Sequence, residues 1–473
     1  MWPAYIPKGY KSRSLLLLEK RKLYDSQGKM VLHTKTFDDL TTHLFNSNAL
    51  VFVSSLTNKT AFPFLSQSVS SDNAKVSCTK KGKPTSITIA QGNEKRKIVP
   101  LSTWRPERKA YLDPDFLLHM EDLYTFCRVG SQATPGALGH AMMLQSWGLQ
   151  HLRRHTAPNM LCQAFLWEHH VGGRCDTPGL GNFYSEAIEL DMSSAYLAYF
   201  MEHPTGLNGS YGAGCFFLGE SGASHYVTYF VECDVHIPSE LPLGPFPIKV
   251  GKYDTIKYPV LPGTYRAFLW KEQIDDCIRA GCDIRISRGF GWKNITTDNG
   301  GWAKELYHKR MEVYGTDLER DIKSIIVAGI GRHGMKNTFH ELTTLDDGKS
   351  RYLYDDSDKP TSYLIKETKD YNQPAMSHWY GYTIMQCSRA LYNYSLQPAI
   401  EGRLIMTNYD ALLVTELNES TLYPEKHTLA AKMVEAGDLR WQKLTNVKVL
   451  APRSLDCDQK TIRPGVPLEE RAA

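Results

Sequence analysis

Residues 403–414 read RLIMTNYDALLV, two apolar runs joined by a short polar stretch that ends in Asp410. Apolar runs of this length on either side of turn residues predict a β-hairpin, with Asp410 at its tip. An acid in that place is either a solvated turn residue or one member of a binding site. A second carboxylate brought to the same place would favour the site.

Residues 189–197 read ELDMSSAYL and provide a candidate for that second carboxylate. A β-like run ends at Asp191, and Ser193 or Ser194 can cap a following helix that Pro204 is expected to end. A carboxylate beside the N–H groups of a helix N-terminus suits a triphosphate bound through Mg²⁺. The alternative is an ordinary capping acid.

A third stretch is predicted to be helical and carries cations. Thr316 and Glu319 have the spacing of a capping box, and Arg320, Lys323 and Val327 then fall on one helix face. Lys323 is a candidate for a phosphate contact, and a solvated surface lysine is the alternative.

In their order and spacing, these stretches resemble the family B DNA polymerases, particularly the protein-primed subgroup of phages, adenoviruses and linear plasmids. The first palm motif of the family, D-x-x-S-L-Y-P, is similar to residues 191–197. The resemblance implies that Asp191 binds metal and that Ser194 and Tyr196 contact the nucleotide, with Tyr196 under the sugar.

The third palm motif of the family, Y-x-D-T-D-S, resembles residues 406–411. Asp410 matches the second acid, whereas Asn408 stands in place of the first. The resemblance implies two catalytic, metal-binding carboxylates, Asp191 and Asp410, which hold two Mg²⁺ ions, with Mn²⁺ as an alternative. Whether Asn408 impairs catalysis is left open.

The helical motif of the family, K-x-x-x-N-S-x-Y-G, resembles residues 323–331. Lys323 and the final Gly331 are kept, whereas the Asn, Ser and Tyr are absent. The resemblance implies that Lys323 binds the triphosphate, with Arg310 as a second cation.

Two further stretches resemble DNA-contacting elements of the family. Residues 169–174, HHVGGR, are similar to the Y-x-G-G element that contacts the template strand, and residues 449–455 to the K-x-Y region at the primer terminus. The residues that these matches imply as DNA-binding are His170, Gly172, Gly173, Arg174 and Arg453.

The predicted fold class is α+β. The resemblance implies a right-hand polymerase with an antiparallel-sheet palm, helical fingers and a reduced N-terminal exonuclease-like α/β module. The predicted segments are a degenerate exonuclease-like module (1–115), a helical connection with the template-contact element (116–185), palm with an insertion (186–300), fingers helices (301–345), palm with the catalytic hairpin (346–415) and the palm end with a vestigial thumb (416–473).

Two departures from the family pattern concern proofreading and the thumb. Family exonucleases need D-x-E on an early strand, but residues 52–57, FVSSLT, contain no acid. Tyr111 and Asp115 resemble the Y-x-x-x-D element, yet one acid cannot assemble a two-metal nuclease, so we predict no proofreading. After Leu455 the remaining stretch is shorter than the thumb of related enzymes.

Composition excludes several other classes of protein. The formal net charge of the 473-residue chain is +4, and none of the ten cysteines forms a C-x-x-C pair. A zinc ribbon or a small disulfide scaffold is therefore not indicated, and no apolar run reaches the roughly 18 residues of a membrane span. An intracellular protein at a site of viral or plasmid DNA replication is predicted, with mitochondrial targeting left open because residues 1–18 are basic.

The predicted function is template-directed addition of dNTPs to a primer 3′ end. Its expected partners are primer-template DNA, dNTPs and either a separate terminal protein or a processivity partner, with no membrane. One alternative is a catalytically weak or inactive polymerase-like protein that binds primer-template or a replication partner. Another is a palm nucleotidyltransferase that copies RNA or makes primers.

Overall fold

A computed structural model of the chain describes residues 13–19, 21–53, 56, 68, 72–79, 83–104, 114–128, 131–147, 160–192, 195–200, 202–205, 214–251, 255–297, 302–334, 338–344, 351–353, 361–369, 378–416, 439–451 and 454–462. The chain forms two compact units. Unit 1 comprises Met1–Leu152 and Gly300–Ala375, and unit 2 comprises Arg153–Asn299 and Met376–Ala473. The six segments predicted from the sequence are a finer division that these units do not test.

The strands are β1 (Ser14–Glu19), β2 (Lys22–Tyr24), β3 (Met30–His33), β4 (Ala49–Val53), β5 (Ala74–Cys78), β6 (Pro84–Gln91), β7 (Glu94–Pro100), β8 (Phe183–Met192), β9 (Glu202–Thr205), β10 (Cys215–Leu218), β11 (Thr228–Ile237), β12 (Ile248–Val250), β13 (Thr255–Lys257), β14 (Gly263–Trp270), β15 (Asp283–Trp292), β16 (Asn294–Thr297), β17 (Thr338–Thr344), β18 (Arg351–Leu353), β19 (Thr361–Lys369), β20 (Leu404–Asn408), β21 (Ala411–Val414), β22 (Leu439–Ala451), β23 (Ser454–Asp456) and β24 (Thr461–Ile462).

The α-helices are α1 (Phe37–Asn46), α2 (Pro114–Cys127), α3 (Pro135–Trp147), α4 (Met160–His169), α5 (Ala195–Phe200), α6 (Gly219–Ala223), α7 (Lys271–Arg279), α8 (Trp302–Glu312), α9 (Asp317–Arg332) and α10 (His378–Ile400). A short 3₁₀ helix spans Leu101–Thr103. Within the described ranges, no helix has both the length and the apolar character needed to cross a membrane.

Unit 1 contains a mixed ten-stranded sheet in the order β18-β19-β17-β5-β6-β7-β4-β1-β2-β3. β4 is parallel to both β1 and β7, and the other described pairs are antiparallel. Leu40 and Leu44, one helical turn apart on α1, are fully buried against the apolar side chains of β1 and β4. The capping box of α1, formed by Thr36 and Asp39, fixes where that helix begins.

In the same unit, α3 packs closely on α9 through small residues. A Cβ added at Gly139 would lie 2.7 Å from the carbonyl oxygen of Ile325 and 3.0 Å from Cα of Gly329. The two helix backbones can approach this closely only because neither Gly139 nor Gly329 has a side chain.

Gly139→Ala is therefore expected to destabilise unit 1 by about 1–3 kcal/mol, because the added methyl group overpacks the contact between α3 and α9. Gly331→Ala is the matched control, since a Cβ at Gly331 of α9 meets no atom within 4 Å. Alanine there should be neutral or stabilise by up to about 1 kcal/mol through helix propensity. Thermal and urea unfolding measure both variants, and equal stability of the two would contradict the close packing.

Unit 2 contains a six-stranded antiparallel sheet in the order β20-β21-β8-β22-β23-β24. Alternate side chains of β8 point to opposite faces of this sheet. Leu190 and Met192 pack in one core with Cys387 and Leu391 of α10. Ala187 belongs to a separate core with side chains of β20 to β22. The odd-numbered residues of β8 thus lie on the face opposite α10.

A second sheet of unit 2 has the order β10-β15-β11-β14. Helix α7 packs its buried Ile274 and Cys277 on one face of it, with Val231 and Cys233 of β11. Phe165 of α4 contacts Phe230, Phe268 and Phe290 on the other face.

The predicted combination of sheets and helices is confirmed, with two local corrections. The helix after Asp191 ends at Phe200, and Pro204 lies within β9 instead of ending that helix. Thr316 accepts the N–H of Glu319 as predicted for an N-cap. The Glu319 carboxylate, however, binds Arg310 and accepts the N–H of Gly315 at 3.3 Å.

Candidate active site

The turn between β20 and β21 carries Asp410 and is bonded to the strand that carries Asp191. The carbonyl oxygen of Asp410 accepts the N–H of Met192 at 2.9 Å, and the Asp410 N–H donates to the carbonyl of Asn408 at 2.8 Å. The sheet therefore brings Asp191 and Asp410 together, although 218 positions separate them in the sequence.

The register of the sheet also places Asn408 with these acids. Asn408 pairs with Ala411 across the hairpin, and Ala411 pairs with Asp191 on β8. Residues directly opposite one another share a face of a sheet. Asn408, Ala411 and Asp191 thus form a row across three strands, on the face opposite α10, so the amide that replaces the expected acid remains in the site.

Two neighbouring side chains have pKa values that are raised partly by the negative charge of these carboxylates. Burial raises the pKa of the Cys387 thiol well above its ordinary value, and Asp410 and Asp191 raise it further. Burial likewise raises the pKa of the Tyr196 phenol, with Cys387 and Asp410 adding to the effect. Both groups stay neutral at physiological pH, close to a cluster of negative charge.

Gly173, the second glycine of the pair 172–173, lies against one side chain from each of the two motifs that carry the acids. A Cβ added at Gly173 would lie 2.5 Å from Cδ1 of Tyr409 and 3.0 Å from the hydroxyl oxygen of Tyr196. Only glycine fits without a rearrangement of these rings. Gly172, in contrast, is exposed and has open space where a Cβ would be.

The segment after the glycine pair runs along the edge of β20 that does not pair with β21. Arg174 lies in this segment and is only 1% exposed, with its guanidinium ion-paired to Asp176. A buried, ion-paired guanidinium is not available to a phosphate. The predicted DNA contact of the Arg174 side chain stays a prediction, and it would require the guanidinium to leave this ion pair.

His170 precedes the glycines and has a largely buried ring that lies 5.4 Å from the ring of Tyr380, centroid to centroid. Burial, and to a smaller extent Lys249, lowers the pKa of His170 to about 4. The ring is neutral at physiological pH, so it offers DNA an aromatic or hydrogen-bonding contact and no positive charge.

A cavity of about 500 Å³ lies beside the C-terminal end of α4. His169 stacks on Phe268 with ring centroids 3.5 Å apart, and Lys249 and Arg266 also line the cavity. Lys249 Nζ donates to the carbonyl of Glu168 at 2.6 Å, and Arg266 is paired with Glu232. Cations beside stacked rings suit a nucleic-acid strand.

Lys323 and Arg310 belong to unit 1. Lys323 is exposed on α9, on the same face as exposed Val327. Arg310 is 7% exposed, and its Nε and Nη2 donate to Glu319 Oε1 at 3.0 and 2.9 Å. The predicted role of Arg310 as a second triphosphate cation stays a prediction, and it would require this buried guanidinium to exchange Glu319 for a phosphate.

Other predicted site residues, Ser194 and Arg453, lie outside the described residues, as does Tyr111. Sequence analysis overlooked Cys387 and Tyr409, which lie next to the acids. Tyr409 could have been noticed as the residue before Asp410 in the turn. Cys387 carries no signal in the sequence beyond its place in a helix that precedes the hairpin.

The oxygen donors at the hairpin suit magnesium. Asp191 and Asp410 supply carboxylates and Asn408 an amide oxygen, and hard divalent cations prefer oxygen ligands. Among the residues that the structure describes, no group of three or more His, Cys, Asp or Glu side chains could hold a metal ion. Mg²⁺ commonly binds one or two carboxylates and completes its shell with water and substrate phosphates. The donor set therefore fits ions that are bound together with a nucleotide.

Comparison with solved structures finds the same fold in Phi29 DNA polymerase. With the complex that contains primer-template DNA and incoming nucleotides, the TM-score is 0.68 at 11% identity, over 97% of this chain and 94% of that one. With the single-stranded DNA complex it is 0.67 at 11% identity, over 97% and 92%. With the primer-template binary complex it is 0.65 at 12% identity, over 96% and 90%.

No protein-family model matches the chain, and no curated protein matches it. At 11–12% identity, the structural similarity shows a DNA-polymerase-like fold.

Proposed function

We propose that this protein is a template-directed DNA polymerase of the family B, protein-primed type, which adds dNTPs to a primer 3′ end and lacks proofreading. The observation that carries the proposal is the pairing of the turn at Asp410 with the strand at Asp191. The polymerase-like fold supports it, since two acids of the matched motifs meet on a sheet of that fold.

In this proposal, Asp191 and Asp410 hold two Mg²⁺ ions, with Asn408 offering a further oxygen. Bound there, the ions would supply activation of the primer 3′ hydroxyl and stabilisation of the leaving pyrophosphate. Tyr196 packs under the nucleotide sugar and excludes a 2′ hydroxyl by contact. Its phenol stays neutral beside Asp410 and adds no charge to the site.

The template strand is assigned to the exposed backbone at Gly172 and to the adjoining cavity. Gly172 lets a phosphate approach the main chain, and Lys249 supplies positive charge in the adjoining cavity. His169 and Phe268 supply an aromatic stack that is tolerant of base identity. Binding there should weaken as salt is raised, because phosphate contacts release counterions.

Extension of a labelled DNA primer on a DNA template tests the function. Incorporation with Mg²⁺ or Mn²⁺, abolished by EDTA, is the expected result. An RNA template in parallel separates a DNA-copying from an RNA-copying enzyme. If wild-type protein binds primer-template but incorporates no nucleotide with either metal, the polymerase proposal fails and the binding-protein alternative replaces it.

Lys323→Ala is expected to raise KM for dNTP by roughly tenfold to a hundredfold, because an exposed cation on α9 is proposed to offset the triphosphate charge. The matched control is Arg320→Ala, one turn earlier and also exposed, for which KM should change less than about twofold. Steady-state incorporation over a range of dNTP concentrations measures both. Equal effects of the two substitutions would remove Lys323 from the proposal.

A further inference from the structure

Arg174 and Asp176 form a buried ion pair next to the hairpin that carries Asp410. The side chain of Arg174 is 1% exposed and that of Asp176 is 14% exposed. The guanidinium carbon also lies 4.2 Å from the ring centroid of Tyr258 and 5.2 Å from that of Tyr392. Taking two charges out of water costs several kcal/mol per ion, which the pairing and the ring contacts must offset. Such a pair adds little net stability, and its position beside the hairpin points to a role in holding that hairpin.

The backbone around this pair is bonded to the hairpin residue by residue. Tyr409 N–H donates to the carbonyl of Arg174 at 2.8 Å, and Thr407 N–H donates to that of Asp176 at 2.9 Å. In return, Asp176 N–H donates to the hydroxyl of Thr407 at 2.8 Å. Ser388 of α10 fixes the same segment by accepting the N–H of Arg174 at 3.2 Å. Residues 174–176 therefore cover the β20 edge up to the residue before Asp410.

Tyr409 has a backbone conformation that needs such support. Its φ is +60°, in the left-handed region that a residue with a side chain rarely adopts. Such residues cost about 1–3 kcal/mol and persist where their surroundings hold them. The carbonyl of Arg174 accepts the Tyr409 N–H, and Cys387 Sγ donates to the Tyr409 carbonyl at 3.4 Å. Gly173 packs against the Tyr409 ring.

We infer that the Arg174–Asp176 ion pair is a positioning device for Asp410. By anchoring residues 174–176 between the aromatic rings and α10, it holds Tyr409 in its left-handed conformation. That conformation sets the direction in which Asp410 leaves the turn. Arg174 acts through the main chain and touches no substrate. The expected effect on catalysis rests on the proposed function, whereas the effect of the ion pair on the backbone of Tyr409 does not.

Arg174→Met tests the device, with Arg403→Met as the matched control. Arg403 is also buried and ion-paired, to Glu401, but it contacts the other end of the hairpin through the carbonyl of Glu416 at 2.9 Å. Hydrogen exchange read by mass spectrometry follows the amides of residues 405–411, and those of 444–449 report on the remaining sheet. In Arg174→Met, exchange of the first set should accelerate at least about tenfold while the second set is unchanged.

Catalysis supplies the second readout. In Arg174→Met, kcat should fall by about 10- to 100-fold, and the Mg²⁺ concentration at half-maximal rate should rise, while Kd for primer-template stays within about twofold. Arg174→Lys, which keeps the charge and loses the planar contact with the rings, should fall between Met and wild type. Arg403→Met should leave both the exchange at 405–411 and the Mg²⁺ dependence unchanged.

Unchanged exchange at 405–411 in Arg174→Met would overturn the inference, as would equal effects of the two methionine variants. Should Arg174→Met fail to fold, Asp176→Asn breaks the same pair with a smaller change and is judged by the same exchange criterion. If wild-type protein incorporates no nucleotide, the proposed function fails, yet the exchange result still decides whether the ion pair holds the turn.

Discussion

Asp410→Asn and Asp191→Asn are each expected to slow nucleotide incorporation by roughly 10³-fold or more, equivalent to about 4 kcal/mol of transition-state stabilisation. Asparagine keeps the shape of the side chain but removes the negative charge that is proposed to bind a divalent cation. Because the backbone bond between Asp410 and Met192 does not involve either side chain, the sheet should form normally in both variants. Single-turnover incorporation from a labelled primer measures the loss.

Glu186→Gln is the matched control for these variants. Glu186 lies on the same strand, β8, with its side chain 57% exposed and paired with Lys443. Its rate should stay within about twofold of wild type, because an exposed ion pair of this kind contributes little. Primer-template Kd, measured by fluorescence anisotropy, should be similar in all three variants. A catalytic acid would be excluded at either position if its Asn variant kept a tenth or more of the wild-type rate.

The parts of the site that could be predicted from the sequence are those that local pattern determines. The hairpin at residues 403–414 and the strand that ends after Asp191 were predicted from apolar runs and turn residues, and both are present. Periodicity is a short-range property and cannot by itself show which strands are neighbours. The order of motifs in the family resemblance supplied the expectation that Asp191 and Asp410 meet.

What the sequence could not supply are partners that lie far apart in the chain. The family resemblance implies a DNA contact for Arg174, whereas the structure surrounds its guanidinium with Asp176 and the rings of Tyr258 and Tyr392. The resemblance likewise implies a triphosphate contact for Arg310, whereas its guanidinium pairs with Glu319. A cation binds a substrate only if no internal anion neutralises it, and that depends on tertiary packing.

Asp276→Ala is expected to destabilise unit 2 by about 3–5 kcal/mol, the usual cost of removing one partner of a buried ion pair. The Asp276 carboxylate is fully buried in α7 and accepts from Nε and Nη2 of Arg389 on α10 at 2.6 and 2.9 Å. Burial lowers the pKa of Arg389, but the hydrogen bonds and charge of Asp276 outweigh it and raise the pKa above its ordinary value. Alanine would leave this largely buried guanidinium without its main counter-charge. Urea unfolding followed by circular dichroism measures the change.

Two further variants separate the loss of the pair from the loss of an acid. Asp275→Ala removes a neighbouring carboxylate that is 46% exposed and paired with Lys271 one turn away, so it should cost no more than about 1 kcal/mol. Asp276→Ala combined with Arg389→Met should be more stable than Asp276→Ala alone, because the Arg389 guanidinium is then no longer buried without the Asp276 carboxylate. Arg279, which also pairs with Asp276, is 59% exposed and can be solvated in both variants. If the double variant is no more stable than the single one, α10 depends on the shape of Asp276, and the charge pairing is not what joins α7 to the helix that packs behind the acids.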